Sequence, residues 1–249
     1  MTTQISPDVA TESATDRAVA SLRSELSPAD RAEMFALLKL HFEGVSARHF
    51  AQDLDEKDWV LRVRRGDRLV GFSTLAISRT VFEKRAINIV YSGDTIMDPD
   101  AWGSPVLARG WIAMVRQAQG ARVSEPWYWL LLSSGFRTYR FLPLFWRTFW
   151  PRHDAATPPT AQRLLEQLAR ERYGERFNAA AGVVRFEHPQ RLRANLAIVP
   201  EGRRRNSHVD FFLAQNPGNS AGDELVCLTS VGDDNLTDAG RRMLRVAGE

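Results

Sequence analysis

The polar run from Tyr91 to Asp94 interrupts a segment, residues 85–97, whose apolar pattern predicts a long strand. A carboxylate inside a strand is unusual unless it faces a cleft, where Tyr91, Ser92 and Asp94 would all offer polar groups. Gly93 would permit a bulge or the close approach of another backbone. Asp94 is therefore our candidate general base, Ser92 a second candidate catalytic residue and Tyr91 a candidate substrate contact. A hydrogen bond from Asp94 to the neighbouring strand is an equally good interpretation.

The histidines near acidic residues have a spacing that favours structural roles. His208 and Asp210 form a His-x-Asp pair on one face of a predicted strand, and His153 precedes an aspartate elsewhere. A metal ion would need a third ligand, so we expect a surface ion pair and no bound metal. His41 lies on the apolar side of the first long helix. A core or rim position is the ordinary role there, and a substrate contact is the alternative.

Turn signals and apolar spacing predict the elements that would position these residues. Ser27 is the expected cap of the first helix, because Pro28 takes the first helical position and Asp30 lies in the first turn. The pattern of the first half then predicts a helix over 46–54, two strands over 59–64 and 69–77 joined by a hairpin, and a strand over 85–97. These are followed by a helix over 105–119, a strand over 127–132 and a segment over 136–149 that is helical in whole or in part. The second half predicts a linker over 155–160, a helix over 161–173, strands over 182–186, 209–213 and 225–230, an exposed loop over 200–206 and a helix over 237–245.

Composition excludes several classes of protein. A chain of 249 residues with 44% hydrophobic and 25% charged residues is typical of one large domain, or of one domain with an added lobe. The net charge is only +3 and no dense basic tract or stacking motif occurs, so we expect no nucleic-acid partner. The single cysteine, Cys227, cannot form an internal disulfide, and its apolar neighbours predict a buried thiol.

No apolar run is long enough to span a membrane, and the first 20 residues carry no hydrophobic signal core. From these features we expect a cytoplasmic protein with a disordered tail over residues 1–26.

Residues 96–110 contain a further pattern. A strand ends at Asp98, a turn carries Gly103, and a helix begins near Ser104. This order resembles the acyl-CoA signature of the GNAT acyltransferases, in which a turn rich in arginine and glycine offers N–H groups to a pyrophosphate at a helix N-terminus. The order of elements over residues 27–150 resembles the same family, as do the segments 50–75 and 134–139.

The resemblance implies an α/β fold, with a GNAT-like mixed twisted sheet flanked by helices over residues 27–150 and an enlarged C-terminal α+β lobe over 151–249 that completes or extends the sheet. It implies an acyltransferase that moves an acyl group from a thioester to the amine of a small molecule. The donor would be acyl-CoA or the phosphopantetheine of an acyl-carrier protein. Tyr139 takes the place of the tyrosine that protonates the leaving thiolate in the family, unless it only packs its helix. The positions that match the family's donor contacts are Met97, Gly103, Ser104, Val106 and Leu107.

The chain departs from the family at two positions of the turn. Trp102 stands where the family favours arginine, and Pro105 stands where it favours glycine and has no N–H to donate. We therefore expect a weakened grip on CoA. A carrier-protein donor is one consequence, and a basic surface around Arg163, Arg170 and Arg172 would suit such an acidic partner.

Residues 127–150 hold 10 of the 24 aromatic residues of the chain. Three interpretations stay open for them: packing against the second half of the chain, the wall of a large apolar cavity with Trp129 as a substrate contact, or a patch for homodimerisation. The alternative to acyl transfer is a repurposed fold that binds an apolar small ligand, or catalyses another reaction, without CoA.

Overall fold

A nine-stranded mixed sheet forms the centre of the computed structural model, which describes residues 15–198 and 206–245. The strands, in chain order, are β1 (Asp16–Leu22), β2 (Phe42–Glu43), β3 (Trp59–Arg65), β4 (Arg68–Phe82), β5 (Arg85–Met97), β6 (Trp127–Ser133), β7 (Phe149–Trp150), β8 (Phe177–Asn178), β9 (Val183–Val184), β10 (Arg191–Leu192) and β11 (Glu224–Ser230). Their spatial order in the large sheet is β1–β3–β4–β5–β6–β11–β9–β8, with β7 paired to β11, while β2 and β10 form a separate ribbon.

Helices cover both faces of this sheet. In chain order they are α1 (Pro28–His41), α2 (Ala47–Asp55), α3 (Val106–Gln119), α4 (Phe136–Tyr139), α5 (Phe141–Phe145), α6 (Pro159–Tyr173), α7 (Ala194–Ala197), α8 (Ser207–Gln215) and α9 (Asp238–Arg245). Alternate residues of the strands divide between two cores. Val90, Trp129 and Cys227 pack in the core that contains α3. Ile89 and Leu130 pack in the core that contains α6.

The sheet opens between β5 and β6. These two strands are parallel, and their pairing runs from Asn88 opposite Trp127 to Ser92 opposite Leu131. Beyond Ser92, β5 continues to Met97 and stays paired with β4 alone. The last third of β5 therefore borders a cleft on the side of β6.

The first helix begins as its residues predict. Ser27 Oγ accepts the N–H of Asp30 at 3.1 Å, and the Asp30 carboxylate accepts the N–H of Ser27 at 3.0 Å. This reciprocal cap satisfies two N–H groups, one of them an otherwise unpaired donor of the helix N-terminus. The predicted strands, helices and hairpin of residues 46–132 are confirmed within a few residues, except that the second hairpin strand continues to Phe82.

Two predictions for other segments were wrong. Residues 16–22 were assigned to a disordered tail, but they form the edge strand β1 by pairing along the whole of β3; residues 1–14 lie outside the described residues. Residues 209–213 lie in α8 and not in a strand, because Asn206 accepts the N–H groups of His208 and Val209 and starts a helix. The segment over 136–149, predicted to be helical in whole or in part, is helical in α4 and α5, up to residue 145.

Three further predictions, all in the second half of the chain, can be compared with the structure. The strand predicted over 182–186 shortens to β9, whereas the strand over 225–230 and the last helix are confirmed. Residues 200–205 of the predicted exposed loop lie outside the described residues. No helix within the described ranges combines the length and the apolar character needed to cross a membrane.

Candidate active site

A bulge in β5 places the predicted base at the mouth of the cleft. Gly93 and Asp94 of β5 stand opposite the single β4 residue Thr74, and the register of the two strands shifts there. A bulge interrupts the ladder and leaves its extra residue without a cross-strand partner. Because the bulge directly follows Ser92, the last β5 residue that pairs with β6, it lies where the two strands part.

Gly93 is required by its surroundings and not by its backbone angles. A Cβ atom at this position would lie 2.5 Å from Lys57 Cε and 2.6 Å from Thr74 Oγ1. Both neighbours are buried, so neither can retreat into solvent. Thr74 Oγ1 also has no hydrogen-bond partner among the described residues. The absence of a side chain at Gly93 thus lets the Lys57 side chain pack directly against the backbone of the bulge.

We expect Gly93→Ala to lower the free energy of unfolding by about 1–3 kcal/mol, because the added methyl group overpacks this contact. Gly103→Ala is the matched control, since a Cβ there meets nothing within 4 Å. Urea denaturation of both variants measures the difference. Equal stability of the two variants would contradict the close packing around Gly93.

Lys57 is a buried cation that follows the end of α2. Its Nζ donates to the Asp53 carbonyl oxygen at 2.8 Å and lies 2.6 Å from the Asp53 carboxylate. The same nitrogen lies 5.6 Å from the centre of the Tyr91 ring, and the Arg172 guanidinium lies 3.6 Å from that centre. The arrangement brings α2, β5 and α6 together around Tyr91, whose pKa is raised above its usual value, chiefly by burial.

Two half-buried carboxyl groups, Asp94 and Glu224, have strongly raised pKa values. Burial, and then the charge of Asp53, raise the pKa of Asp94 to about 7, against an opposing effect of Lys57. Burial, and then the charges of Asp94 and Asp53, raise the pKa of Glu224 to about 8. Neither carboxyl group has a hydrogen bond to the rest of the described chain. Asp94 can therefore accept a proton near neutral pH, and the three carboxyl groups together favour a cation.

Ser92 and Trp129 are part of the core and not of this site. Trp129 Nε1 donates to Ser92 Oγ at 2.8 Å, and both residues are buried. The Trp129 ring centre lies 4.2 Å from that of Trp111 and 5.0 Å from that of Trp146. A catalytic Ser92 and a substrate-contacting Trp129 are incompatible with this packing, so these two predictions are corrected.

Tyr139 is placed where it cannot act as the predicted acid. Its side chain is fully buried, and its hydroxyl donates to the Pro151 carbonyl oxygen at 3.0 Å. Its ring lies 5.7 Å from that of Phe212 and 6.1 Å from that of Phe149. Burial raises the pKa of the phenol well above its usual value, so the phenol holds its proton more tightly. The packing alternative is therefore the correct one.

A cavity of about 600 Å³ lies between the start of α3, the short helices α4 and α5, and the C-terminal segments. Four of the five predicted donor contacts line it, namely Met97, Gly103, Ser104 and Leu107; Val106 is not among the lining residues. Most of the remaining wall is apolar and includes Phe136, Phe141 and Leu196. The volume is typical of a small-molecule site.

His41 lines this cavity, but both of its ring nitrogens are engaged. Nε2 lies 2.9 Å from the Asp98 carboxylate and Nδ1 lies 3.2 Å from the Leu37 carbonyl oxygen. Burial lowers the pKa of His41 against the opposing charge of Asp98. These two contacts hold the imidazole ring at the rim of the cavity. His41 could donate a hydrogen bond to a substrate only if one of its two ring nitrogens gave up its present partner.

The three arginines of the predicted carrier-facing surface lie apart from the cavity, and of these Arg172 contacts the Tyr91 ring. Arg163, Arg170 and Arg172 of α6 form ion pairs with Glu83, Glu166 and Glu56, and they lie across the sheet from α3. The predicted carrier-facing surface is thus a set of paired side chains away from the cavity.

His208 and Asp210 are two residues apart in α8, so they do not share a helix face. His208 instead packs against the His153 ring, with centres 4.4 Å apart. Within the described residues, no group of three or more histidine, cysteine or acidic side chains has the arrangement of a metal site. Cys227 is buried, as predicted.

The order of helices and strands over residues 27–150 is the order that the sequence resemblance implies. The helices α1 and α2 come first, the antiparallel strands β3, β4 and β5 follow, and then come α3 and the strand β6, which is parallel to β5 and separates from it at the bulge. The chain has a GNAT-like fold. The C-terminal segment adds β11 beside β6 and so continues the same sheet.

Several solved structures are similar to this GNAT-like chain. A probable N-acyltransferase from Enterococcus faecalis V583, described as a conserved protein of unknown function, has 12% identity and a TM-score of 0.41, over 63% of this chain and 44% of that one. A GCN5-related N-acetyltransferase from Kribbella flavida has 12% identity and a TM-score of 0.39, over 85% and 64%. A GNAT family N-acetyltransferase from Escherichia coli in complex with CoA has 16% identity and a TM-score of 0.34, over 51% and 68%.

The match spans less than half of the Enterococcus protein and just under two thirds of the Kribbella protein. No family model and no curated protein sequence matches the chain. These structural likenesses are partial, and the assignment of the fold rests on the strand order and pairing of the chain itself.

Proposed function

We propose that this chain transfers an acyl group from a thioester to the amine of a small molecule, with Asp94 as the general base. The observation that carries the proposal is a half-buried carboxyl group with a pKa of about 7, in a strand bulge at the mouth of a cleft. A general base is most effective when its pKa lies near the working pH. The cavity beside the same strand end offers apolar space for the donor.

The reaction follows from these two features. The neutral amine nitrogen attacks the thioester carbonyl carbon, and one N–H proton passes to Asp94. The C–S bond then breaks, and sulfur leaves with the electron pair as a thiolate. Backbone N–H groups of the bulge are suited to polarise the carbonyl oxygen during this step. A thiol with a pKa of about 8.5 leaves readily as a thiolate, so no acid residue is required. Asp94 then releases its proton to water and the thiolate takes one up from water, so the base is regenerated and the protons balance.

The acceptor in this proposal carries a positive charge when it arrives. The charge of Asp53 raises the pKa values of Asp94 and Glu224, and the charge of Asp94 raises that of Glu224, so a second, protonated nitrogen of the acceptor, distinct from the neutral amine that attacks, relieves this repulsion. Asp94 is then the carboxylate in the bulge, Asp53 stays paired with Lys57, and Glu224 holds the cationic part of the acceptor.

A thiol-release assay with an acetyl thioester tests the proposal. Diamines are expected to accelerate thiol release, and uncharged alcohols of equal length are the matched controls. The N-acylated product is identified by mass spectrometry. Release that no amine accelerates, with any thioester, would contradict the proposal.

The charges around Asp94 predict opposite shifts of the pH–rate profile. The rate rises as Asp94 loses its proton, so its low-pH limb follows the pKa of this carboxyl group. Lys57→Met removes the cation that lowers this pKa, and we expect the limb to move to higher pH. Asp53→Asn removes the anion that raises it, and we expect the limb to move to lower pH. Shifts in the same direction would show that a different group titrates.

A second candidate function is the binding of an apolar small ligand without acyl transfer. The 600 Å³ cavity supports it, since its wall is mainly apolar and does not depend on Asp94. In that case Asp94→Asn leaves ligand binding unchanged, and no amine accelerates thiol release. Calorimetry with a medium-chain fatty acid, followed by the assay above, separates the two functions.

A further inference from the structure

We infer that the donor is recognised through its acyl chain and pantetheine arm, and that the N-terminus of α3 does not bind the pyrophosphate of CoA. The inference rests on the proposed transfer from a thioester. The inference concerns which part of the donor the protein contacts. Its test can therefore fail while the proposed acyl transfer still takes place.

The turn before α3 uses most of its N–H groups internally. An anion at a helix N-terminus is held by N–H groups that have no other acceptor. Here several of these groups already have acceptors and proline supplies no donor, so in the first turn of α3 the described residues leave only the N–H groups of Leu107 and Ala108 without an acceptor. The bonds run from Ala101 N to Asp98 O at 2.9 Å, from Trp102 N to Pro99 O at 3.3 Å, from Ser104 N to Ala101 O at 3.0 Å and from Val106 N to Ser104 Oγ at 3.4 Å.

A carboxylate of the protein lies at this helix end. Asp16, from the edge strand β1, has a side chain only 8% exposed and accepts Arg65 Nε at 2.8 Å and Arg65 Nη2 at 3.2 Å. Hydrogen bonds from Arg65 and, to a smaller extent, from Ser104 lower the pKa of Asp16, so it is ionised at neutral pH. A fixed negative charge beside Ser104 therefore lies near this helix end, where it would repel an anionic ligand.

The basic side chains around the turn are engaged as well. Arg68 lies 2.8 Å from the Asp98 carboxylate and 2.9 Å from that of Asp100, and Arg65 lies 3.3 Å from Asp100. Together with Asp16, three carboxylates therefore face these two guanidinium groups. The charges of Arg65 and Arg68 are therefore balanced within the protein, and these two side chains do not add net positive charge for a pyrophosphate.

Trp102 closes the remaining side of the turn. Its Nε1 donates to the Met97 carbonyl oxygen at 2.7 Å, and the Arg137 guanidinium lies 3.9 Å from its ring centre. The same guanidinium donates to the carbonyl oxygens of Leu196 at 2.6 Å and Ile198 at 3.4 Å. The indole thus covers the end of β5 at the position where the family favours an arginine. What remains open beside it is the apolar cavity.

The test compares acetyl-CoA with acetyl-pantetheine, which lacks the nucleotide and its pyrophosphate. We expect kcat/KM values within about threefold of each other, since neither the turn nor its charges distinguish the two donors. A preference for acetyl-CoA of about 30-fold or more would overturn the inference and leave the acyl transfer in place. If neither thioester transfers its acyl group, the proposed function fails. In that case the Kd values of CoA and pantetheine, measured by calorimetry, decide the inference. Values within about threefold support it, and a preference for CoA of about 30-fold or more overturns it.

Asp16→Asn tests the role of the carboxylate. Removing this charge should increase the preference for acetyl-CoA over acetyl-pantetheine by about two- to fivefold, the size of a charge effect at a helix end. Glu175→Gln makes the same charge change after α6, on the other face of the sheet, and should leave the ratio unchanged. An unchanged ratio in Asp16→Asn would show that Asp16 does not exclude the pyrophosphate. If the variant does not fold, the ratio of the wild-type protein still decides the inference.

Discussion

Asp94→Asn lowers the kcat of amine acylation by about 10²–10⁴-fold, the usual contribution of a general base. The amide has nearly the same shape as the carboxyl group but cannot accept the amine proton at neutral pH. The loss appears in kcat because the base acts on the bound acceptor. Steady-state thiol release with a saturating diamine measures it.

Asp67→Asn is the matched control for this variant. Asp67 lies exposed in the hairpin between β3 and β4, so the same chemical change there should leave kcat within about twofold. A kcat of Asp94→Asn within tenfold of the wild type would show that another group takes the proton. Glu224, with its pKa of about 8, would then be the first replacement to consider.

Trp129→Ala is expected to lower the free energy of unfolding by about 3–5 kcal/mol, because it opens a large cavity at the centre of the α3 core. Trp129 is 3% exposed and its ring packs against those of Trp111 and Trp146. The substitution also leaves Ser92 Oγ without its donor. Urea denaturation followed by far-UV circular dichroism measures the loss.

Trp129→Phe separates the two contributions. Phenylalanine keeps much of the ring contact and removes only the indole N–H, so the expected loss is about 1–2 kcal/mol. If Trp129→Ala lowers the free energy of unfolding no more than Trp129→Phe does, the packing of the ring contributes little to stability. The aromatic-rich segment would then require a different explanation, such as a surface for self-association.

Local patterns predicted most of the first half of the fold. The cap of α1, the hairpin at residues 65–67 and the strand β5 are all encoded within a few neighbouring residues, so the sequence alone specifies them. Strand β1 was assigned to the tail because its mixed polar pattern becomes a strand only when it pairs with β3. The apolar run of α8 fits either a helix or a strand, and the Asn206 cap that decides between them was overlooked.

The candidate site was only partly predictable for a similar reason. Asp94 and Gly93 stand out because a carboxylate and a glycine interrupt one strand. Glu224 and Lys57 do not stand out, because they reach the bulge from β11 and from the end of α2 through tertiary packing. The partner of Tyr139, a carbonyl oxygen of Pro151, is likewise set by how the chain folds back and not by a local pattern.

The pH dependence of kcat for amine-dependent thiol release tests the central claim most directly. The account predicts a rate that rises with pH through an apparent pKa near 7, and a limb that disappears in Asp94→Asn. A profile that shows no such limb between pH 5.5 and 8.5, or a limb of equal position in Asp94→Asn, would contradict Asp94 as the base.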